Sequence, residues 1–415
     1  MIESIIFFFS GSGMVMLFIL FMRINVVGSK SKLVKHRSKE PGFVDLLIYA
    51  SVVDDGVIVG KDGSLMAAWA YQGVDSNSST EAERDQVSLQ INHALSRMGS
   101  GWMIHIDAVR KPAPGYCAKD DSHFPDPVSA AIDEERREFF ERVGTLYESN
   151  YVITATYLPP LLAQQKFVEL MFDDEGVPVD SKTRTIALLN HFKRECANIE
   201  SHLSSVFRMK RLKGKTITKE DNSSVNYDAF LRWIQFCISG LDHPVILPKN
   251  PIYLDALLSG QEFWGGVVPK IGQNFIQVVS IEGFPLASSP GLINSLADLP
   301  CLYRWSTRFI FMDTHEAVGH LEKFSKKWKQ KIRSFFDQVF NSHSSNVDQN
   351  AINMVSDAQA AIAETNSGEV AQGYYTSVVV LMSESRGDLE ASARQVAKAI
   401  NHLGFTARIE TINTI

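Results

Sequence analysis

Three places in this sequence carry residue types at spacings that could do chemistry. The first is Gly214-Lys215-Thr216, which matches the end of a phosphate-binding loop. Such a loop reads G-x-x-x-x-G-K-[ST], follows a strand and opens a helix, so that successive backbone N–H groups surround the phosphates. The first glycine would fall at position 209, which is Met209. Ile199, Leu203, Val206 and Leu212 recur upstream at roughly helical spacing, so the triplet is expected to follow a helix. Gly214 then reads as a helix C-terminal cap, with Arg208, Lys210, Arg211 and Lys213 complementing the helix dipole. No other stretch completes the motif.

The second place is "THEAVGH", residues 314–320, which approaches the zinc signature H-E-x-x-H. That signature places its second histidine four residues after the first, so that both imidazoles face one way on the helix. Gly319 stands four residues after His315, and His320 is rotated a further ~100°. An ordinary helix start, with Thr314 as cap and Glu316 in the first turn, accounts for the pattern. The third is Asp173, Asp174 and Glu175, closed by Gly176. A calcium loop alternates acids over about twelve residues, and this one reads as a solvated turn. Catalytic, cofactor-binding and metal-ligating residues are therefore all read as none.

One further stretch, "KFSKKWKQKIRSFFDQVF", mixes bases with aromatics, as single-stranded nucleic-acid binders do. Leu321, Phe324, Trp328, Ile332, Phe335 and Val339 fall on one helical stripe, with the lysines mostly opposite. An amphipathic helix with a solvated basic face explains this without a ligand. Lys326, Lys327 and Lys329 remain the best place for an acidic partner.

These segments sit in a chain of 415 residues, enough for two or three domains, with 45% apolar and 21% charged residues. Net charge is −6, unevenly spread. Residues 1–39 hold six bases against Glu3, a net +5 that leaves −11 for the rest. So acidic a body is a poor general binder of nucleic acid, and direct DNA contact is not expected. The four cysteines form no C-x-x-C pair, which fits a reducing compartment. Residues 5–22, "IIFFFSGSGMVMLFILFM", are an uncharged apolar run of about the minimum spanning length, with Gly11-Ser12-Gly13 in its middle. The bases follow it, the reverse of a cleavable signal peptide. The expectation is an N-terminal transmembrane helix, with residues 23 onward in the cytoplasm.

The body reads as mixed α/β (α+β). Asp55-Gly56 and Asp62-Gly63 punctuate short strands as hairpin turns. Ser79 or Thr80 opens a helix with Val87, Ile91 and Leu95 on one face. "GWMIHIDAVR" is a strand, residues 127–149 are helical, "YVITATYLP" is a strand, and residues 181–213 are mostly helical and run past the core. Further on, "NFIQVVSIEGF" is a strand, 290–296 a short helix and "YRWSTRFIFMD" a strand. Residues 314–341 and 347–365 form a helical hairpin, followed by strand, helix and strand to the end. Without the hairpin the order is βαββαβ, the ferredoxin-like split pattern. Residues 64 to about 213 hold a looser copy. The expected domains are 1–40, a transmembrane anchor and basic linker; 41–250, an N-terminal α/β lobe; and 251–415, a ferredoxin-like lobe with helical insertion 314–366. The sequence stops at the last strand, with no polar tail, and reads as a fragment.

Several long phrases, in order, carry a resemblance from about Pro41 to Ile415. Among them are "PGFVDLLIYASVVDDGVIVGKDGSLMAAW", "SHFPDPVSAAIDEERREFFE", "YRWSTRFIFMD", "KWKQKIRSFFDQVF" and "GYYTSVVVLM" followed by "GFTARIETINT". They resemble the N-terminal half of the TrbE-type conjugative-transfer ATPases, the large energisers of type IV secretion systems. The resemblance implies an N-terminal α/β region that docks on the inner-membrane part of the secretion machine. It also implies a C-terminal RecA-like motor, hexameric when complete, that binds ATP and magnesium. In that family the phosphate loop comes well after the phrase matching "GFTARIETINT", so none of its nucleotide-binding residues carries over to a position here. The implied partners are inner-membrane secretion subunits, the chain's own C-terminal ATPase domain and copies of itself. The implied place is the bacterial inner membrane, with the body facing the cytoplasm. Many members begin near the "PGF" phrase, so residues 5–22 are a departure. A stand-alone, membrane-anchored interaction protein without ATPase activity stays open as the alternative, and an independent hydrolase or metal enzyme has little support from the residues.

Overall fold

The computed structural model describes residues 42–73, 78–159, 179–218, 224–248, 252–285, 291–339 and 349–411. Contacts divide the chain into Met1–Leu47 and Ile48–Ile415. Of the first unit, what is described is a single helical turn, Phe43–Leu46. Among the described residues, the sheets belong to the second unit.

Its first half opens with the hairpin β1 (Tyr49–Asp54) and β2 (Val57–Gly60). Gly56 takes the positive φ of +69° that the turn requires. Then come β3 (Leu65–Gln72), α1 (Glu81–Leu95), β4 (Trp102–Pro112), α2 (Pro127–Val143), β5 (Tyr147–Tyr157), α3 (Val179–Leu203) and β6 (Arg208–Arg211). Thr80 caps α1 in a capping box: its hydroxyl accepts from Glu83 N, and its own N–H donates to Glu83 Oε2 at 2.8 Å. Val87, Ile91 and Leu95 lie half-buried on the inner side, as their spacing predicts.

A small three-stranded sheet follows, made of β7 (Gly214–Thr218), β8 (Ser224–Asp228) and β9 (Val245–Leu247) with α4 (Ala229–Ser239). After α5 (Leu254–Leu258), the second half runs β10 (Phe263–Trp264), β11 (Lys270–Ile271) and β12 (Asn274–Gly283). A 3-10 segment (Leu292–Asp298) leads to β13 (Tyr303–Phe311), α6 (Thr314–Val339), α7 (Gln349–Ser367), β14 (Gly373–Ser383), α8 (Arg386–His402) and β15 (Thr406–Ile409).

The strand pairings repeat. In the first half, β3 pairs with β5, β5 with β4, and β6 with β3, all antiparallel. In the second, β12 pairs with β14, β14 with β13, and β15 with β12. Each is the ferredoxin-like order 4-1-3-2, with helical insertions between its second and third strands. Even the edges match: β2 and β6 share the outer edge of β3, as β11 and β15 share that of β12. The two second strands then pair with each other, from Met103↔Ile310 to Arg110↔Tyr303, to give one 12-stranded sheet with a pseudo-twofold at its centre.

Residues directly opposite across a ladder share a face, so both halves carry their helices on the same side. There, Trp69, Trp102, Ile104, Ile153 and Ala155 pack on Phe192, Cys196, Ile199 and Leu203 of α3. Val279, Val379 and Leu381 pack on Leu389, Ala393, Val396 and Ile400 of α8. Phe309 and Phe311 of β13 reach into the first of these cores.

Several expectations need correction. The transmembrane helix is not supported: among the described residues no helix is long and apolar enough to cross a membrane, and residues 5–22 lie outside them. That expectation rested on apolarity over a run of about minimum length, interrupted by two glycines that each cost a helix about 1 kcal/mol. The helix expected over 127–149 stops at Val143, where Gly144 adopts φ +80°, and Tyr147 already belongs to β5. The helix expected over 181–213 stops at Leu203, and it lies within the core because Phe192, Cys196, Ile199 and Leu203 are buried. The short helix expected at 290–296 is the 3-10 segment Leu292–Asp298.

Candidate functional site: a trough on the sheet face opposite the core helices

The side of the sheet away from α1, α3 and α8 is crossed by α4. The Asp228 carboxylate starts this helix by accepting from Phe230 N at 2.8 Å and Leu231 N at 2.9 Å. Burial pushes that carboxyl up, against the two backbone hydrogen bonds. Gly240 ends the helix in the left-handed region, at φ +75°. Its turn is anchored by Asn274 of β12, whose Nδ2 donates to Ser239 O at 2.8 Å.

Two adjoining cavities of about 540 and 250 Å³ run along α4, and both are lined by Lys111, Phe236 and Asp242. The larger has Ala70, Val109 and Val152 in its floor and Trp233 in its wall. The smaller reaches Arg304, Val380 and Met382 in the second half. Together they make a mostly apolar trough across both halves. A charged bridge crosses it: Asp242 accepts from Arg232 Nε at 2.5 Å and from Lys111 Nζ at 3.0 Å, while Lys111 also lies 3.3 Å from Glu148. Burial alone would raise Asp242, but the hydrogen bonds and charges of Arg232 and Lys111 outweigh it and hold the carboxyl below its ordinary range. Lys111 is correspondingly raised: burial would lower it, and Asp242 and Glu148 more than compensate.

Beside the bridge, at the seam of the halves, Arg304 Nη1 donates to Asp107 Oδ1 at 3.0 Å. Asp107 is 3% exposed, and Arg304 Nε is buried without a hydrogen-bond partner in the structure. Tyr49 and Cys237 lie close by, and burial pushes both up to about 12. Both therefore stay protonated at neutral pH, a state suited to packing and unsuited to nucleophilic attack. The cluster has the character of a structural clamp: slipping β4 by one residue against β13 would turn Asp107 to the other face and strand a buried charge.

The sequence-predicted positions fall elsewhere. Gly214-Lys215-Thr216 is the start of β7, which pairs with β8 from Gly214↔Asp228 to Thr218↔Ser224. The expected helix cap is thus overturned. The intervening Arg208–Arg211 is drawn into a strand by the open edge of β3, with Met209 and Arg211 half-buried. Arg211 also stacks its guanidinium 4.6 Å over the Trp69 ring. Phosphate has no cradle at the triplet: Gly214 N already donates to Asp55 Oδ1 at 2.9 Å, and that carboxylate would repel an anion.

At 314–320, Asp313 rather than Thr314 caps the helix, its carboxylate accepting from Glu316 N at 2.8 Å. His320 is exposed, with Nε2 at 3.9 Å from Glu316 and 3.5 Å from the Tyr374 hydroxyl. Among the described residues no group of three or more metal-capable side chains forms. Residues 173–176 lie outside the described residues. On α6, Lys326, Lys327 and Lys329 are exposed, while the predicted stripe is turned slightly. Ala317 and Ser325 are buried, and Phe324 is left exposed.

Sequence reasoning missed the trough, its bridge and the seam pair. A weak signal for the pair was present: Asp107 and Arg304 are charged residues flanked by apolar ones inside strands, in "MIHIDAV" and "YRW". Nothing local says that positions 197 apart in sequence meet.

Comparison with known proteins adds the following. Residues 56–165 match the family model described as type IV secretion system ATPase VirB4/TrbE, N-terminal domain. Residues 215–415 match the CagE, TrbE, VirB family, component of type IV transporter system. The Conjugal transfer protein TrbE of Rhizobium radiobacter is 43% identical over 380 residues, which are 91% of this chain and 46% of that protein. Sinorhizobium fredii has a Probable conjugal transfer protein TrbE in two portions. The second portion is 42% identical over 223 residues, 54% of this chain and 34% of that portion. The first is 49% identical over 125 residues, 30% of this chain and 84% of that portion. The chain thus spans about half the length of the Rhizobium radiobacter relative.

Proposed function

This chain belongs to the VirB4/TrbE family of type IV secretion ATPases, and from that premise we propose that it is the docking and scaffold region of a TrbE-like ATPase in conjugal transfer. Its work is binding. The nucleotide chemistry, with ATP and magnesium, belongs to a RecA-like motor in the stretch of the relatives' length that this chain does not span. The partners are that motor and the inner-membrane subunits of the secretion machine, and the place of action is the cytoplasmic face of a bacterial inner membrane.

The observation that carries the reading is the pairing of a rigid sheet with an apolar trough. A 12-stranded sheet spanning both halves is a stiff platform, and the trough across it has the concave, mostly apolar lining of a recognition groove. The residues that imitate a phosphate loop lie in a strand paired with β8, and Gly214 N donates to the Asp55 carboxylate.

Two measurements test this. Co-purification of the 415-residue chain with the secretion system's membrane subunits should succeed and should weaken about tenfold or more for Val152→Trp, which fills the trough floor. Unchanged capture by this variant would remove the trough from the docking role. Titration of the isolated chain with magnesium-ATP should give no saturable heat, and stoichiometric uptake would overturn the division of labour.

A further inference from the structure

The insertions of the two halves leave the sheet from opposite ends, because β4 and β13 run antiparallel and each insertion follows its strand. The first insertion is acidic, with eight acids against four bases in residues 113–146. Its helix α2 exposes Val128, Ile132, Phe139 and Val143 at helical spacing, flanked by Glu135, Arg136 and Arg142, a mixture of charge that singles out no partner. The second insertion differs: residues 323–333 hold six bases and no acid.

On α6 these bases gather on the open side. At ~100° per residue, Lys323 and Lys327 each stand ~160° round the helix from buried Ser325. Lys323, Lys326, Lys327 and Lys329 are all exposed. Lys326 lies 3.7 Å from Glu322, and among the described residues the other three form no ion pair. An aromatic ridge borders them. Phe324, 45% exposed, is edge-on to Trp328 at 6.0 Å. One turn back, His320 meets the exposed Tyr374 of β14, ring to ring at 6.2 Å. Aromatic side chains and unneutralised lysines therefore share one surface, in a chain whose residues 40–415 carry −11.

We propose that this face of α6 seats on an anionic phospholipid bilayer, with Phe324 and Tyr374 entering the headgroup layer and the lysines meeting the lipid phosphates. Lysine stems reach past an apolar anchor while their ammonium groups stay in the wet headgroup region. Each base near an anionic leaflet strengthens partitioning by about fivefold, so the lysines together supply most of the attraction and Phe324 fixes the depth. The acidic insertion at the far end is repelled by the same surface, so the chain stands with its basic end towards the membrane. Single-stranded nucleic acid fits less well: Phe324 and Trp328 meet edge to face, which leaves no parallel platform for stacked bases. The inference rests on the inner-membrane place of action proposed above and goes beyond it by naming the surface and the lipid class that meet there.

The test is photo-cross-linking of the full 415-residue chain carrying Phe324→p-benzoylphenylalanine, with vesicles of phosphatidylcholine alone or with ~30% phosphatidylglycerol, at ~50 and ~500 mM salt. Residues 5–22 are apolar, so vesicle capture by itself does not locate the contact, whereas a lipid adduct at position 324 does. Adducts are expected on the anionic vesicles, about tenfold fewer on the neutral ones, and fewer at high salt. Lys323→Glu, Lys326→Glu, Lys327→Glu and Lys329→Glu together should reduce them about tenfold or more, and the same four lysines changed to arginine should keep them. These side chains are exposed, and circular dichroism should show both sets of variants folded. No adduct on anionic vesicles, equal adducts on neutral ones, or adducts that survive the charge reversal would overturn the proposal. Cross-linking to a protein or a nucleic acid in place of lipid, in bacterial inner-membrane preparations, would sink it equally. Val152→Trp should leave the adduct unchanged, so a failed trough and a failed lipid face are read apart.

Discussion

The two halves of the sheet are built on one plan and furnished differently. Both follow the order 4-1-3-2, but α1 of the first half is a 15-residue helix where the second half has a seven-residue 3-10 segment. In the slot between second and third strands, the first half carries the single helix α2 and the second the antiparallel pair α6 and α7. In α6, Ala317 and Ser325 are buried; among the described residues no second α-helix lies in the insertion of α2, which exposes a full apolar stripe. Backbone pairing is thus the shared frame, since every interior strand needs its hydrogen-bond partners. Insertions at a strand-to-strand connection leave those ladders intact and are free to differ.

The sharpest test of that comparison sets two tryptophans side by side. Trp69 in the first core is fully buried, with Nε1 donating to Glu200 at 2.9 Å. Trp305 in the second is half-buried, with Nε1 donating to Ser377 Oγ at 2.8 Å. Trp69→Ala should cost about 3–5 kcal/mol and Trp305→Ala about half that in chemical denaturation. Hydrogen exchange should show whether the loss stays in one half; if it spreads evenly, the halves are one cooperative unit.

The seam comes next. Arg304→Ala leaves Asp107 buried and unpaired, with an expected loss of about 3 kcal/mol, and the pair Asp107→Leu with Arg304→Met should recover much of it. Equal stability of the single and paired variants would show that the ion pair does not hold the halves in register.

The smallest effect lies at the bridge over the trough. Asp242 is depressed when folded, so its contribution is present above the ordinary carboxylate range and is lost as pH falls through its lowered folded value. It is partly exposed, which limits the effect to about 0.5–1 kcal/mol. Thermal melts of the wild type and of Asp242→Asn should differ at about pH 6 and draw together as pH falls below the ordinary carboxylate range, and a constant difference would remove the bridge from the pH response.

Much of the frame was legible. The β-branched and aromatic runs in "NFIQVVSIEGF" and "GYYTSVVVLMSE", the capping box at Thr80 and the Asp55-Gly56 turn are local signals, and each element formed where its signal stood. The failures were tertiary. Arg208–Arg211 has the composition of a helix end and became a strand because β3 offered an unpaired edge. Asp313 took the cap expected of Thr314, a slip of one residue between neighbouring cap formers. The trough could not be read at all, since its walls come from segments scattered between Ala70 and Met382.

By itself, then, the amino-acid order settled most of the strands and helices, the Thr80 cap and the Asp55-Gly56 turn, the family, and the misfit of Gly214-Lys215-Thr216 to a phosphate loop, for these depend on residues within a few positions of one another. Folding alone decided that the two βαββαβ units would join strand to strand, that Asp107 and Arg304 would be buried together at the joint, and that acidic and basic insertions would emerge at opposite ends. Those outcomes depend on which open strand edges meet, and a hydrogen-bonding edge looks the same in sequence whichever partner finally covers it.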